Sequence, residues 1–156
     1  MKRSALLAAG AAVLGLCWGN GVVVAAALLL PLLWAAAPSR WTAGAVVLAY
    51  YLVASRGLPV GAGIFFAVTE PAWFGWCLWV VTAAINAGVW TLAWRRDPRR
   101  RAIGAVVALV VTALPPVGLI GWTNPLTAAG LWFPGLGFVG LGFTLLLAYY
   151  VALQRR

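Results

Sequence analysis

Histidine is missing from this chain of 156 residues, and only Glu70 and Asp97 carry negative charge. Without histidine, the histidine-based triads and zinc sites of hydrolases are unavailable. A Glu–Lys–Cys triad would need the sole lysine, Lys2, which falls at the opposite membrane face from Glu70 once the helices are laid out. No catalytic residue, metal ligand or cofactor is expected. Cysteine is scarce as well: Cys17 and Cys77 are far apart, each inside an apolar run, where a thiol ordinarily packs as a small hydrophobe. Such a pair does not report the redox compartment. Charge of either sign is 8% of the residues and is absent from 4–18, 22–37, 73–94 and 102–122.

What the chain does have is apolar surface and arginine. Hydrophobic residues make up 65%, against roughly 45–50% in soluble globular domains, so a protein of this size needs lipid to cover part of that surface. Apolar runs of roughly 18 or more residues read as membrane-spanning helices, and backbone in hydrocarbon must satisfy its own hydrogen bonds. The expected fold is an all-α, polytopic transmembrane helical bundle forming a single domain over residues 1–156. Lys2 and Arg3 before the run 4–18 imitate a signal peptide. Leu16 stands where a lipoprotein signal would carry a small residue before Cys17, and this segment is read as an uncleaved first helix.

Gly19-Asn20-Gly21 turns the chain into a second run, 22–37, which ends at Pro38-Ser39-Arg40. A third, 41–54, is short, and Arg56-Gly57-Leu58-Pro59 separates it from an apolar stretch, 60–69, too short to cross alone. That stretch extends the third helix past a kink at Pro59, or lies re-entrant or along the interface. Residues 73–94 form the clearest span. The basic loop 95–101 follows, then 102–122 with a break at Pro115-Pro116, a turn at Thr123-Asn124-Pro125, and a last helix over 138–153. The total is about six spans, with five as the alternative.

Ten of the eleven basic residues fall on one side if six helices alternate, Arg56 being the exception. By the positive-inside rule that side is cytoplasmic, with both termini, and Glu70 and Asn124 lie outside. The corresponding location is a cytoplasmic membrane.

Five residues stand out as candidate lipid or partner contacts: Arg56, Glu70, Trp79, Asn86 and Asn124. Arg56 and Glu70 are the opposite charges of the outer side and flank the 58–69 segment. They either pair there or anchor separately at the interface. Trp76, Trp79, Ala83, Asn86, Trp90 and Trp94 fall within about 80° of one helical face. Interfacial belts explain most of those tryptophans, leaving Trp79 and the mid-span amide Asn86 as groove candidates. The loop 95–101 lacks interleaved aromatics and already serves as a cytoplasmic anchor for anionic lipid, so nucleic acid is not an expected partner. Gly135-Leu136-Gly137-Phe138-Val139-Gly140 matches the dinucleotide fingerprint formally, but it opens a membrane helix, where small residues allow close helix contact.

Residues 54–61, Ala-Ser-Arg-Gly-Leu-Pro-Val-Gly, with Ile64-Phe65-Phe66, resemble the TraB family of plasmid conjugal transfer proteins. So do Pro115-Pro116-Val117-Gly118, residues 121–130 and Phe133-Pro134-Gly135. That family is similar in plan to apolipoprotein N-acyltransferase, with a helical membrane part and a nitrilase-like carbon–nitrogen hydrolase domain outside the cytoplasm. The resemblance implies that this chain corresponds to the membrane portion and that the family's catalytic Glu, Lys and Cys have no counterparts here. It implies the bacterial inner membrane as the location and membrane lipids, a nitrilase-like domain and other conjugation proteins as partners, and places 56–66 near a lipid entrance. The expected role is a membrane component supporting assembly or maturation of the conjugation apparatus. An independent small transporter or lipid-binding membrane protein is the alternative.

Overall fold

A computed structural model describes residues 2–19, 21, 23–66, 72–120 and 123–154. Helix accounts for 82% of these, and no strand occurs among them. Helix α1 is Lys2–Leu16. The second apolar run differs from the single helix its composition predicts: Val23–Leu29 winds as a 3-10 segment, and only Leu30–Ala35 is α-helical, forming α2. Pro31 gives the reason. It lacks an N–H and is tolerated in the first turn, so regular α-helix starts just before it.

Helix α3, Arg40–Ala54, begins where the Ser39 hydroxyl accepts the Thr42 N–H at 3.2 Å. After the Ser55–Gly57 turn, Pro59 opens α4, Leu58–Phe65, whose axis is bent 50° from that of α3. Helix α5 is Ala72–Ala93. Helix α6, Pro98–Ala113, starts earlier than hydropathy predicts and takes up most of the supposed arginine loop. Asp97 caps it, accepting the Arg100 N–H at 2.8 Å, and Pro98 fits the first turn. Leu114 ends it in extended conformation, as a residue before Pro115 must. Helix α7 is the single turn Val117–Ile120. The Gly- and Pro-rich stretch beyond it is not a plain loop: a 3-10 turn, Pro125–Ala128, runs into α8, Ala129–Trp132. That pair meets the last helix, α9, Gly137–Leu153, at 119°.

In the bundle α1 packs on α3, α3 on α5, α5 on α6 and α6 on α9, while the short α2 touches α1, α3, α6 and α9. Its Trp34 is fully buried and meets Trp90 of α5 edge-to-face at 5.3 Å, with its indole N–H donated to the Trp90 carbonyl at 3.2 Å. Close helix contacts depend on missing side chains. A Cβ on Gly15 of α1 would stand 2.7 Å from the Tyr50 carbonyl oxygen of α3, and one on Gly104 of α6 would strike the Ala93 carbonyl of α5.

Among the described residues one helix, Trp73–Ala93, is long and apolar enough to cross a membrane, and up to three spans result if each bent pair, α3 with α4 and 125–132 with α9, counts as one. The surface is strongly apolar: Phe138 is 91% exposed, Phe65 80% and Trp41 76%.

Candidate functional site

The bundle has two chemically distinct ends. At one, α1 starts with Lys2 and Arg3, and the Arg3 guanidinium donates to the Ala36 carbonyl beyond α2 at 3.1 Å. Arg40 at the start of α3 and Trp94, Arg95 and Arg96 after α5 line a common depression there. Arg95 donates to the Leu92 and Trp94 carbonyls, covering the carbonyl end of α5, and the Asp97 cap leads into Arg99, Arg100 and Arg101. Burial lowers the Arg101 guanidinium from its ordinary value, and the nearby Asp97 carboxylate raises it in part. Residues distant in sequence thus form one cationic end.

Arg56 lies at the other end. Its guanidinium donates to three carbonyls: Gly15 at 3.4 Å in the last turn of α1, Trp18 at 3.0 Å just beyond that helix, and Val53 at 3.1 Å in α3. A cation at two helix C-termini complements both dipoles and their unpaired carbonyls. Glu70 lies outside the described residues, so its pairing with Arg56 is not part of this geometry. From Trp18 the network continues inward: its indole N–H donates to the Tyr50 hydroxyl at 2.7 Å, which donates to the Thr123 carbonyl at 3.0 Å. The adjacent Asn124 is buried. Its amide donates to the Leu109 carbonyl at 3.2 Å and the Thr112 hydroxyl at 2.9 Å, and its oxygen accepts the Leu126 N–H at 2.8 Å. Arg56 and Asn124 therefore belong to one linked set of polar contacts joining α1, α3, α6 and the 123–126 turn.

Trp79 and Asn86 are not in that set. The Trp79 N–H donates to the Leu52 carbonyl at 2.9 Å, pinning α5 to α3. Asn86 donates to the Thr82 carbonyl of its own helix at 2.9 Å. The tryptophan-rich face of α5 is closed over most of its length, since Ala83, Asn86, Trp90 and Trp94 are all buried, and only Trp76 is well exposed.

Sequence reasoning missed two features. Tyr50 and Thr112 are polar groups in apolar runs whose partners come from remote turns. The second is an aromatic flank beside the Arg56 end: Phe65, Phe66 and Phe74 stack edge-to-face in series, next to exposed Val60, Ile64 and Trp73. The Phe65-Phe66 pair was visible only as part of a motif. No group of histidine, cysteine or acidic side chains able to hold a metal occurs among the described residues.

No protein-family model matches the chain, and no solved structure matches it. It is 42% identical over 137 residues to the conjugal transfer protein TraB of Agrobacterium fabrum, a match covering 81% of this chain and 32% of that protein. It is 38% identical over 120 residues to a probable conjugal transfer protein TraB of Sinorhizobium fredii, covering 77% of this chain and 30% of that one. A third relative, an uncharacterized protein outside the virF region of Agrobacterium tumefaciens, is 42% identical over 65 residues, 42% of each chain. The chain is similar over most of its length to proteins named TraB, and spans about a third of the length of those two relatives.

Proposed function

We propose that this chain is a multi-pass inner-membrane protein that serves plasmid conjugal transfer, as the membrane portion of a TraB-type protein. The observation that carries the conjugal part is the 38–42% identity to two proteins named for that process, sustained over 77–81% of this chain. The membrane part draws on a different feature. Cations gather at one end while flanks such as Phe65, Trp41 and Phe138 offer bare apolar surface, the pattern lipid covers and water does not. In this reading the arginine end faces the cytoplasm and the Arg56–Asn124 end faces outward. The bent pairs and shorter helices cross or enter the bilayer together with α5.

The chain's part in transfer is structural: it presents a polar, hydrogen-bonded platform and an aromatic flank at the outer membrane face. An acyltransferase-like plan would seat a nitrilase-like domain on that platform, with lipid reaching it along the flank 58–66. Deletion of the gene from a transfer-competent plasmid, with complementation in trans, tests the proposal. Transfer frequency should collapse and be restored by the complementing copy, with cell growth unaffected. Unchanged transfer alongside altered uptake of a small metabolite would instead favour the transporter reading.

A further inference from the structure

The depression of about 370 Å³ at the cationic end is lined by Arg40, Trp94, Arg95 and Arg96. These four come from the start of α3 and the end of α5, more than fifty residues apart in sequence. Three arginines line one open concavity. They are not equivalent. Arg95 is committed to the Leu92 and Trp94 carbonyls, where it offsets the negative end of α5. Arg40 and Arg96 are exposed and make no hydrogen bond to protein among the described residues. Trp94 is only 7% exposed, and its buried indole N–H has no acceptor among those residues. The carboxylate adjacent in sequence, Asp97, accepts the Arg100 N–H as the cap of α6. The concavity also sits at the N-terminal end of α3, where the helix dipole favours an anion.

We infer that this depression is a phosphate-binding site, with Arg40 and Arg96 as the two forks that grip the anion and Arg95 and Trp94 as its walls. Planar guanidiniums suit phosphate oxygens because each fork can donate two parallel hydrogen bonds. A position at the cytoplasmic rim of the bilayer makes the headgroup of an anionic phospholipid the natural source, and that part rests on the membrane reading above. Free phosphate has the same chemistry and does not depend on it. The site differs from diffuse attraction of a basic surface because it assigns unequal roles to arginines of one cluster: Arg99, on the first turn of α6, does not line the depression.

The test uses the full chain purified in neutral detergent micelles, titrated with short-chain phosphatidylglycerol, phosphatidylcholine or inorganic phosphate. Salt is kept near 0.5 M so that diffuse attraction is largely screened. Wild-type protein should bind phosphatidylglycerol in preference to phosphatidylcholine. Arg40→Gln and Arg96→Gln should each weaken binding about tenfold, the worth of one charge-assisted contact, while Arg99→Gln stays within about twofold. Arg40 and Arg96 are both exposed, so helical circular dichroism should be unchanged, and Arg40→Lys should recover part of the loss. Saturable binding of inorganic phosphate with the same dependence on Arg40 and Arg96 supports the site with a soluble source. Equal losses in all three glutamine variants, or binding of neither phosphatidylglycerol nor phosphate, overturns it.

Discussion

Replacing Gly15 by alanine probes the contact that joins the first helix to the rest of the bundle. The new Cβ would lie 2.7 Å from the Tyr50 carbonyl oxygen, 2.9 Å from the Ala54 nitrogen and 2.9 Å from the Val53 Cβ. Two of these are backbone atoms of α3, which cannot rotate away. Relief to ordinary contact near 3.5 Å therefore requires α1 to withdraw by roughly 0.8 Å. That movement also stretches the bonds from Arg56 to Gly15 and Trp18 and from Trp18 to Tyr50, because all three cross the same seam. Overpacking of this kind costs about 1–3 kcal/mol. The helix-propensity gain of alanine over glycine, up to about 1 kcal/mol within a helix, is smaller at this penultimate position of α1. A net destabilisation of about 1–2 kcal/mol is expected. Gly61→Ala in α4 is the matched control, since nothing lies within 4 Å of its new methyl group. Unfolding of both variants in mixed micelles, followed by circular dichroism, gives the comparison. Equal stability of Gly15→Ala and Gly61→Ala would refute the proposed packing of α1 on α3.

Further expectations follow from the polar contacts. Arg56→Ala should cost about 1–2 kcal/mol, reduced from the full value of charge-assisted bonds because the side chain is exposed; it should impair plasmid transfer more than Arg99→Ala, whose neighbours Arg100 and Arg101 remain. Equal, negligible effects in transfer assays on both would reduce Arg56 to an interfacial anchor. Asn124→Ala removes one acceptor and two donor contacts from a buried site and should cost about 2–3 kcal/mol by the same unfolding measurement, with Asn124→Asp no better. The double variant Cys17→Ala, Cys77→Ala should leave transfer and stability nearly unchanged; loss of transfer by a folded protein would give one thiol a role beyond packing.

Three helices were the most legible. Residues 41–54, 73–94 and 138–153 were predicted within a residue or so of α3, α5 and α9, because an uninterrupted apolar run leaves the backbone little alternative. Boundaries failed where local chemistry outranked hydropathy. Asp97-Pro98 is a cap and first turn, so α6 swallows arginines that charge alone would leave in a loop, and Pro31 divides the second run into 3-10 and α segments. Of the residues in the polar network, Arg56 and Asn124 stood out in the sequence, but the geometry that links them did not. Arg56 and Asn124 belong to one network only through Trp18, Tyr50 and Thr123, whose separations in sequence carry no periodic signal. Likewise the alternation of helices put Arg40 and Arg95 on one side, but their sharing of a single depression depends on how α3 and α5 pack.

Paired topology reporters fused after Arg99 and after Asn124 decide whether the chain is a membrane bundle with its arginine end in the cytoplasm. Alkaline phosphatase should be active at Asn124 and silent at Arg99, and a fluorescent protein that folds only in the cytoplasm should show the reverse. Phosphatase activity at Arg99, or cytoplasmic fluorescence at both positions with the protein recovered in the soluble fraction, would contradict the account.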